Sequence, residues 1–125
     1  MIVILHDKIS QSQLKQVCKA HFGTWVKFVA DIKKGVLAAG GELHADGEAA
    51  LIESGSGQSD LWGGNFHPWK KPDDRLEFTS FINIRPLDNN TGMELTEPET
   101  REKIRALAER MLLAENETMS LPEPE

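Results

Sequence analysis

The first forty residues of the chain carry apolar patterns that predict a strand, a helix and a hairpin. Residues 2–5 form a β-branched run that is typical of a strand. Ser10, followed by Gln13 three residues later, predicts the start of a helix whose apolar face ends near Gly23. Residues 25–32 alternate between apolar and polar side chains, and a turn at 33–35 would return the chain into a strand over 36–39.

Residues 42–53 fit two different structures. The Asp46-Gly47 pair is typical of a two-residue hairpin turn, which would make 42–45 and 48–53 adjacent strands. The run 48–53 also has good helix propensity, with Asp46 as an N-cap and Gly55 as the stop. We favour the strands because the run is short for a helix, and we keep the helix as the alternative.

The second half of the chain predicts another strand pair and a C-terminal helix. Residues 61–66 and 76–84 would form the pair, with Gly63 and Gly64 marking a bulge or a close backbone contact. Thr96 and Glu99 predict a capped helix. Its apolar stripe consists of Ile104, Leu107, Ala108, Met111 and Leu112.

Together these elements predict an α+β fold. A single antiparallel sheet of four to six strands, mostly a meander, would carry an N-terminal and a C-terminal amphipathic helix on one face. An antiparallel sheet can leave its other face partly open, and we expect a site on that face.

The charge distribution separates an acidic tail from a nearly neutral body. The chain has 125 residues, which fits one domain over residues 1–114. Residues 115–125 contain four Glu and no Lys or Arg, contribute most of the net charge of −6, and are expected to be disordered. Because no basic stripe is interleaved with aromatic residues, the sequence does not favour a nucleic-acid partner.

The single cysteine excludes an internal disulfide and every zinc site that needs paired cysteines. Cys18 lies on the apolar stripe of the first helix, where we expect a small core side chain. No apolar run approaches 18 residues and no signal peptide is visible, so we expect a cytoplasmic protein that does not associate with membranes.

One row of side chains could hold a metal ion. If residues 42–46 are extended, Glu42, His44 and Asp46 project from the same face about 7 Å apart, and imidazole and carboxylate groups are common metal ligands. Further ligands would come from neighbouring strands. The candidates are Asp60, His67, Asn65 and Glu48. The alternative is that these polar side chains lie on a solvated sheet face.

A second group of candidates could bind a ligand. Asn83 and Arg85 would share a face near the end of a strand, where the guanidinium could bind a carboxylate or a phosphate. The alternative that we favour is an internal ion pair between Arg85 and one of the acids in residues 40–69. Trp62 is expected in the core, and Trp69 is either a partner contact or a packed loop anchor.

Three segments, GGELHAD, DLWGGN and INIRP, occur in this order before the C-terminal helix. With them the chain resembles, over residues 1–112, a family of short prokaryotic proteins of unknown function that is well represented in cyanobacteria. The resemblance implies no assigned reaction. It leads us to expect a basic residue in the loop after INIRP, but residues 87–91 contain none, which argues against an anion clamp there.

Two functions follow from these candidates. The first is a non-catalytic module that binds a protein or a small polar ligand at a polar site around residues 42–67, and that could form a homodimer. Its candidate contacts are Glu42, His44, Asp46, Trp62, Asn65, Asn83 and Arg85. The second is a metal-dependent hydrolase that uses the Glu42, His44 and Asp46 row and needs a divalent metal ion. The sequence leaves open whether the chain is an enzyme.

Overall fold

The structure, a computed structural model, describes residues 1–125 and contains five strands and three helices. The strands are β1 (Ile2–Leu5), β2 (Val26–Asp31), β3 (Val36–Gly40), β4 (Leu61–Phe66) and β5 (Leu76–Glu77), and the helices are α1 (Gln11–His21), α2 (His44–Glu53) and α3 (Pro98–Met111). The strands form one antiparallel sheet in the order β1-β3-β2-β4-β5. The predicted α+β class is therefore confirmed.

The terminal helices α1 and α3 contribute to the same hydrophobic core as one face of the sheet, as predicted. That core includes the side chains of Leu14, Val17, Cys18, Val26, Phe28, Ile104, Leu107 and Ala108. Ser10 caps α1 as expected, because its Oγ accepts a hydrogen bond from the Gln13 N–H at 3.1 Å. The cap of α3 differs by one residue from the prediction. Glu97, rather than Thr96, accepts from the N–H groups of Glu99 and Thr100.

The strand interpretation of residues 46–53 was wrong, and the helical alternative holds. Helix α2 begins at His44 rather than after an Asp46 cap, and its Leu51 joins a second core with Val29 and Leu61. Gly47 forms no hairpin turn; it lies against β2, where a Cβ atom would come within 3.1 Å of Val29 Cγ2. Its lack of a side chain allows the helix to approach the strand closely. The face that we expected to be open is thus partly covered by α2.

The strand predicted over residues 76–84 is much shorter in the structure. Only Leu76 and Glu77 pair with β4, opposite Phe66 and Asn65. Beyond Glu77 the chain runs through two 3₁₀ turns, Phe81–Asn83 and Pro86–Asp88. The pairing of β5 with β4 stops at Glu77, because the next outward-facing backbone groups of β4, those of Gly63, bond to the side chain of Asn83 and not to a further strand.

Residues 114–121 contact the body of the chain. Arg75 donates from Nη2 to the Glu117 carbonyl at 2.7 Å, and the Trp69 indole donates to the Leu121 carbonyl at 2.9 Å. Met119 is buried in the main core. The polar, proline-containing composition on which we based the prediction of a disordered tail gave no sign of these contacts. None of the three helices combines the length and the hydropathy that crossing a bilayer requires.

Candidate functional site

The DLWGGN and INIRP segments meet at the outer edge of β4. The Asn83 side chain is fully buried there and pairs with the backbone of Gly63: Oδ1 accepts from its N–H and Nδ2 donates to its C=O, both at 2.9 Å. A neighbouring strand would make the same two bonds to an edge residue. The amide side chain of Asn83 therefore replaces one step of a strand ladder.

Gly63 has no room for a side chain at this junction. A Cβ atom on Gly63 would lie 2.7 Å from Ser80 Cβ and 3.1 Å from His44 Cδ2. The β4 register continues without interruption through Gly63 and Gly64, so the glycine pair marks a close contact and not a bulge.

Arg85 fixes the same segment from a second point. Its guanidinium lies 3.5 Å from the ring centre of Trp62 and donates to the carbonyls of Gln58, at 2.9 Å, and Leu61, at 2.8 Å. Burial lowers the pKa of Arg85, and the charge of Asp88 partly opposes that shift. The ion pair that we expected between Arg85 and an acid of residues 40–69 is not formed. Arg85 instead pairs with Asp88, whose Oδ2 lies 3.6 Å from Arg85 Nε.

Asn90 closes the segment into a loop. Its side chain donates to the Asn83 carbonyl at 2.8 Å, and its backbone pairs with Arg85 through bonds of 2.7 and 3.1 Å. We call residues 78–90 the anchored loop, since buried or half-buried polar side chains tie it to β4 and to itself.

Three apolar side chains of the anchored loop face solvent. Phe81 is 76% exposed, Leu87 is 99% exposed and Ile84 is 42% exposed. Nothing in the loop's own hydrogen bonds requires apolar residues at these positions. Single exposed apolar residues are ordinary on a protein surface, whereas contiguous exposed apolar patches mark contact surfaces.

His44, from the GGELHAD segment, bonds to the next residue of the same strand. Its Nε2 donates to the Gly64 carbonyl at 2.7 Å. Burial lowers the pKa of His44, while the hydrogen bonds to Gly64 and Asn65 raise it and the charge of Lys27 lowers it further. The imidazole is therefore held mainly neutral near pH 7, as a hydrogen-bonded link between α2 and β4.

The extended row on which the metal hypothesis depends does not form. Glu42 precedes α2, while His44 and Asp46 lie in its first turn, and helical residues two apart do not face each other. Asp60 and His67 flank opposite ends of β4, which separates their backbones by roughly 20 Å. No three His, Cys, Asp or Glu side chains are arranged to hold a metal ion.

Two other predicted residues meet at Glu77, which the sequence analysis did not single out. His67 Nε2 donates to Glu77 Oε1 at 2.8 Å, and Asn65 Nδ2 donates to the same oxygen at 3.3 Å. The His67 bond is the main reason that the pKa of Glu77 is lowered. The His67 ring also stacks on Trp25, with ring centres 5.6 Å apart. This group ties the ends of β4 and β5 together.

Phe81, Leu87 and Asn90 were not singled out from the sequence. Phe81 falls within the strand predicted over residues 76–84, and Leu87 falls in the loop expected after INIRP. The available signal was Pro86, which cannot extend a strand ladder, close to an Asn-Asn pair that favours turns.

Comparison with known proteins places the chain in a family without assigning an activity. No curated protein and no solved structure matches it. The model of one family, described as "Protein of unknown function (DUF5674)", matches residues 3–111, which is most of the chain. The protein therefore belongs to this family of unknown function.

Proposed function

We propose that the protein is a binding module whose anchored loop docks on a protein partner. The observation that carries the proposal is the exposure of Phe81 and Leu87 on a backbone that Asn83 and Arg85 hold in place. A fixed loop loses little conformational entropy on binding, so apolar contacts made there convert efficiently into affinity.

The polar side chains that we first considered as ligand contacts support a protein partner over a small polar ligand. Both polar atoms of the Asn83 amide, both Nη atoms of Arg85 and Nε2 of His44 already bond to backbone groups of the same chain, and only Arg85 Nε among the buried atoms of these side chains has no hydrogen-bond partner. Trp62 is buried under Arg85. Five depressions of the surface have none of these four side chains in their walls.

The proposal is tested with paired baits in an extract of the cells that encode the protein. The wild-type chain, Phe81→Ser/Leu87→Ser and Ile52→Ser are immobilised at equal density, and recovered proteins are quantified. Ile52 is a matched control because it is an apolar residue of α2 that is 43% exposed and lies outside the anchored loop. We expect a protein whose recovery falls at least about tenfold with the double variant, equivalent to 1.4 kcal/mol, and is unchanged with Ile52→Ser. Equal recovery on all three baits would contradict the proposal.

A further inference from the structure

The outer edge of β1 is a second surface that the fold leaves without a partner. Strand β1 is the first strand of the sheet order and pairs only with β3. Its pairing with β3 is regular over Ile2–Leu5, so half of its N–H and C=O groups point away from the sheet. No hydrogen bond from elsewhere in the chain reaches the backbone of these four residues.

The strand is short, with four residues, but its sequence has none of the other features that usually protect an edge. Residues 2–5 are Ile, Val, Ile and Leu, without charge, proline or bulge. The opposite edge differs, since β5 has two residues and the β4 positions beyond it are satisfied by Asn83 and Arg85. Side-chain hydrogen bonds thus cover part of the β4 edge of the sheet, whereas no such bonds cover the edge formed by β1.

We propose that β1 pairs with β1 of a second copy of this chain, antiparallel and about a two-fold axis perpendicular to the sheet. Such an axis keeps each side chain on its own face, so residues of the same face must lie opposite each other. Pairing centred on Val3 satisfies this condition. It places Val3 opposite Val3, and Ile2 opposite Ile4, of the two copies.

The chemistry of the strand selects a second copy over an unrelated peptide. Ile2 and Ile4 lie at the margin of the core under α2, and Val3 lies at the margin of the core under α1 and α3. Each is half-buried, so the same apolar surface remains on both faces of the edge. Self-pairing covers both faces with matching apolar side chains and brings no charges together. The result is a continuous ten-stranded sheet.

A four-residue edge buries much less surface than the roughly 800 Å² per partner of standard interfaces, so the dimer is expected to be reversible. Sedimentation velocity over a micromolar concentration series should show a mass that rises from 13.9 kDa towards twice that value. Val3→Lys places two like charges directly opposite each other and should keep the chain monomeric.

Cysteine cross-linking tests the β1–β1 pairing without introducing a charged side chain that the fold itself must tolerate. Directly opposite residues of antiparallel strands have Cα atoms about 4.5–5.5 Å apart, within the range of a disulfide. Val3→Cys should therefore oxidise to a covalent dimer, while Lys71→Cys, at an exposed loop position, should not. The native Cys18 is buried, and burial raises its pKa to about 12, so it does not compete. A wild-type chain that stays monomeric throughout, or equal cross-linking of the two variants, would overturn the proposal.

Discussion

Asn83 and Gly63 are joined as if they belonged to neighbouring strands, with two hydrogen bonds of 2.9 Å between one side-chain amide and one backbone unit. The Asn83 amide also lies 3.3 Å from the carbonyls of Phe78 and Met93. One buried side chain therefore connects β4 with the start of the anchored loop and with Met93, just beyond its end.

Replacing Asn83 should unfold the protein at lower denaturant concentration. Asn83→Ala leaves the buried N–H and C=O of Gly63 without partners, and we expect a loss of about 2–4 kcal/mol in the free energy of unfolding. Asn116→Ala, at an exposed position, is the control and should change the value by less than about 0.5 kcal/mol. Denaturant unfolding measures both, and equal stabilities of the two variants would exclude this role of Asn83.

Gly63 and Ser80 should show strong energetic coupling. Gly63→Ala introduces a Cβ atom 2.7 Å from Ser80 Cβ, and we expect a loss of about 1–3 kcal/mol from this overpacking. Ser80→Gly removes the clashing atoms, so the double variant should be more stable than the sum of the single losses predicts. A double-mutant cycle measures the coupling. Additive losses would mean that the contact is not what excludes a side chain at residue 63.

The lowered pKa of His44 predicts a loss of stability in mild acid. In the unfolded chain His44 takes up a proton near pH 6.5, whereas burial in the folded state delays protonation to lower pH. The unfolded state therefore binds more protons, and stability should fall as the pH drops from about 6.5 towards the folded-state pKa. His44→Gln should flatten this part of the profile, and an imidazole that titrates at or above pH 6.5 by NMR would contradict the assignment.

The segment after Ala114 should stabilise the body of the protein. Met119→Ala removes a buried side chain and should cost about 2 kcal/mol or more. Deletion of residues 115–125 should cost at least as much, because it also removes the Glu117 carbonyl that accepts from Arg75. Deletion of residues 122–125 alone is the control. Thermal unfolding compares the three, and a full deletion that melts with the wild-type chain would show that this segment contributes nothing.

Local sequence patterns were enough to predict the elements that depend on local features. The β-branched run of β1, the Ser10 cap and the stripe of α3 each specify structure within a few residues. The predictions were wrong where contacts between residues far apart in the sequence determine the structure. Asp46-Gly47 has the chemistry of a turn, but the fit of Gly47 against β2 makes it part of a helix.

Some of the residues singled out from the sequence lie together in the structure, but the contacts that they make were not predicted. Asn83, Arg85 and His44 do converge on β4, the strand that contains Trp62, yet the β4 backbone groups that they bind lie 20 or more positions away along the chain. The spacing of residues along the sequence does not reveal that an arginine will donate hydrogen bonds to backbone carbonyls. The exposed side chains of Phe81 and Leu87 were hidden for a related reason, since their exposure follows from a strand that ends early.

Site-specific photo-cross-linking at position 81 tests the central claim most directly. A photoreactive phenylalanine analogue is placed at Phe81 or at Ile52, and the protein is irradiated in the cells that encode it. The account predicts one discrete protein adduct from position 81, lost when Leu87→Ser is added, and no such adduct from position 52. No discrete adduct at position 81, or the same adducts from both positions, would contradict a protein-binding role for the anchored loop.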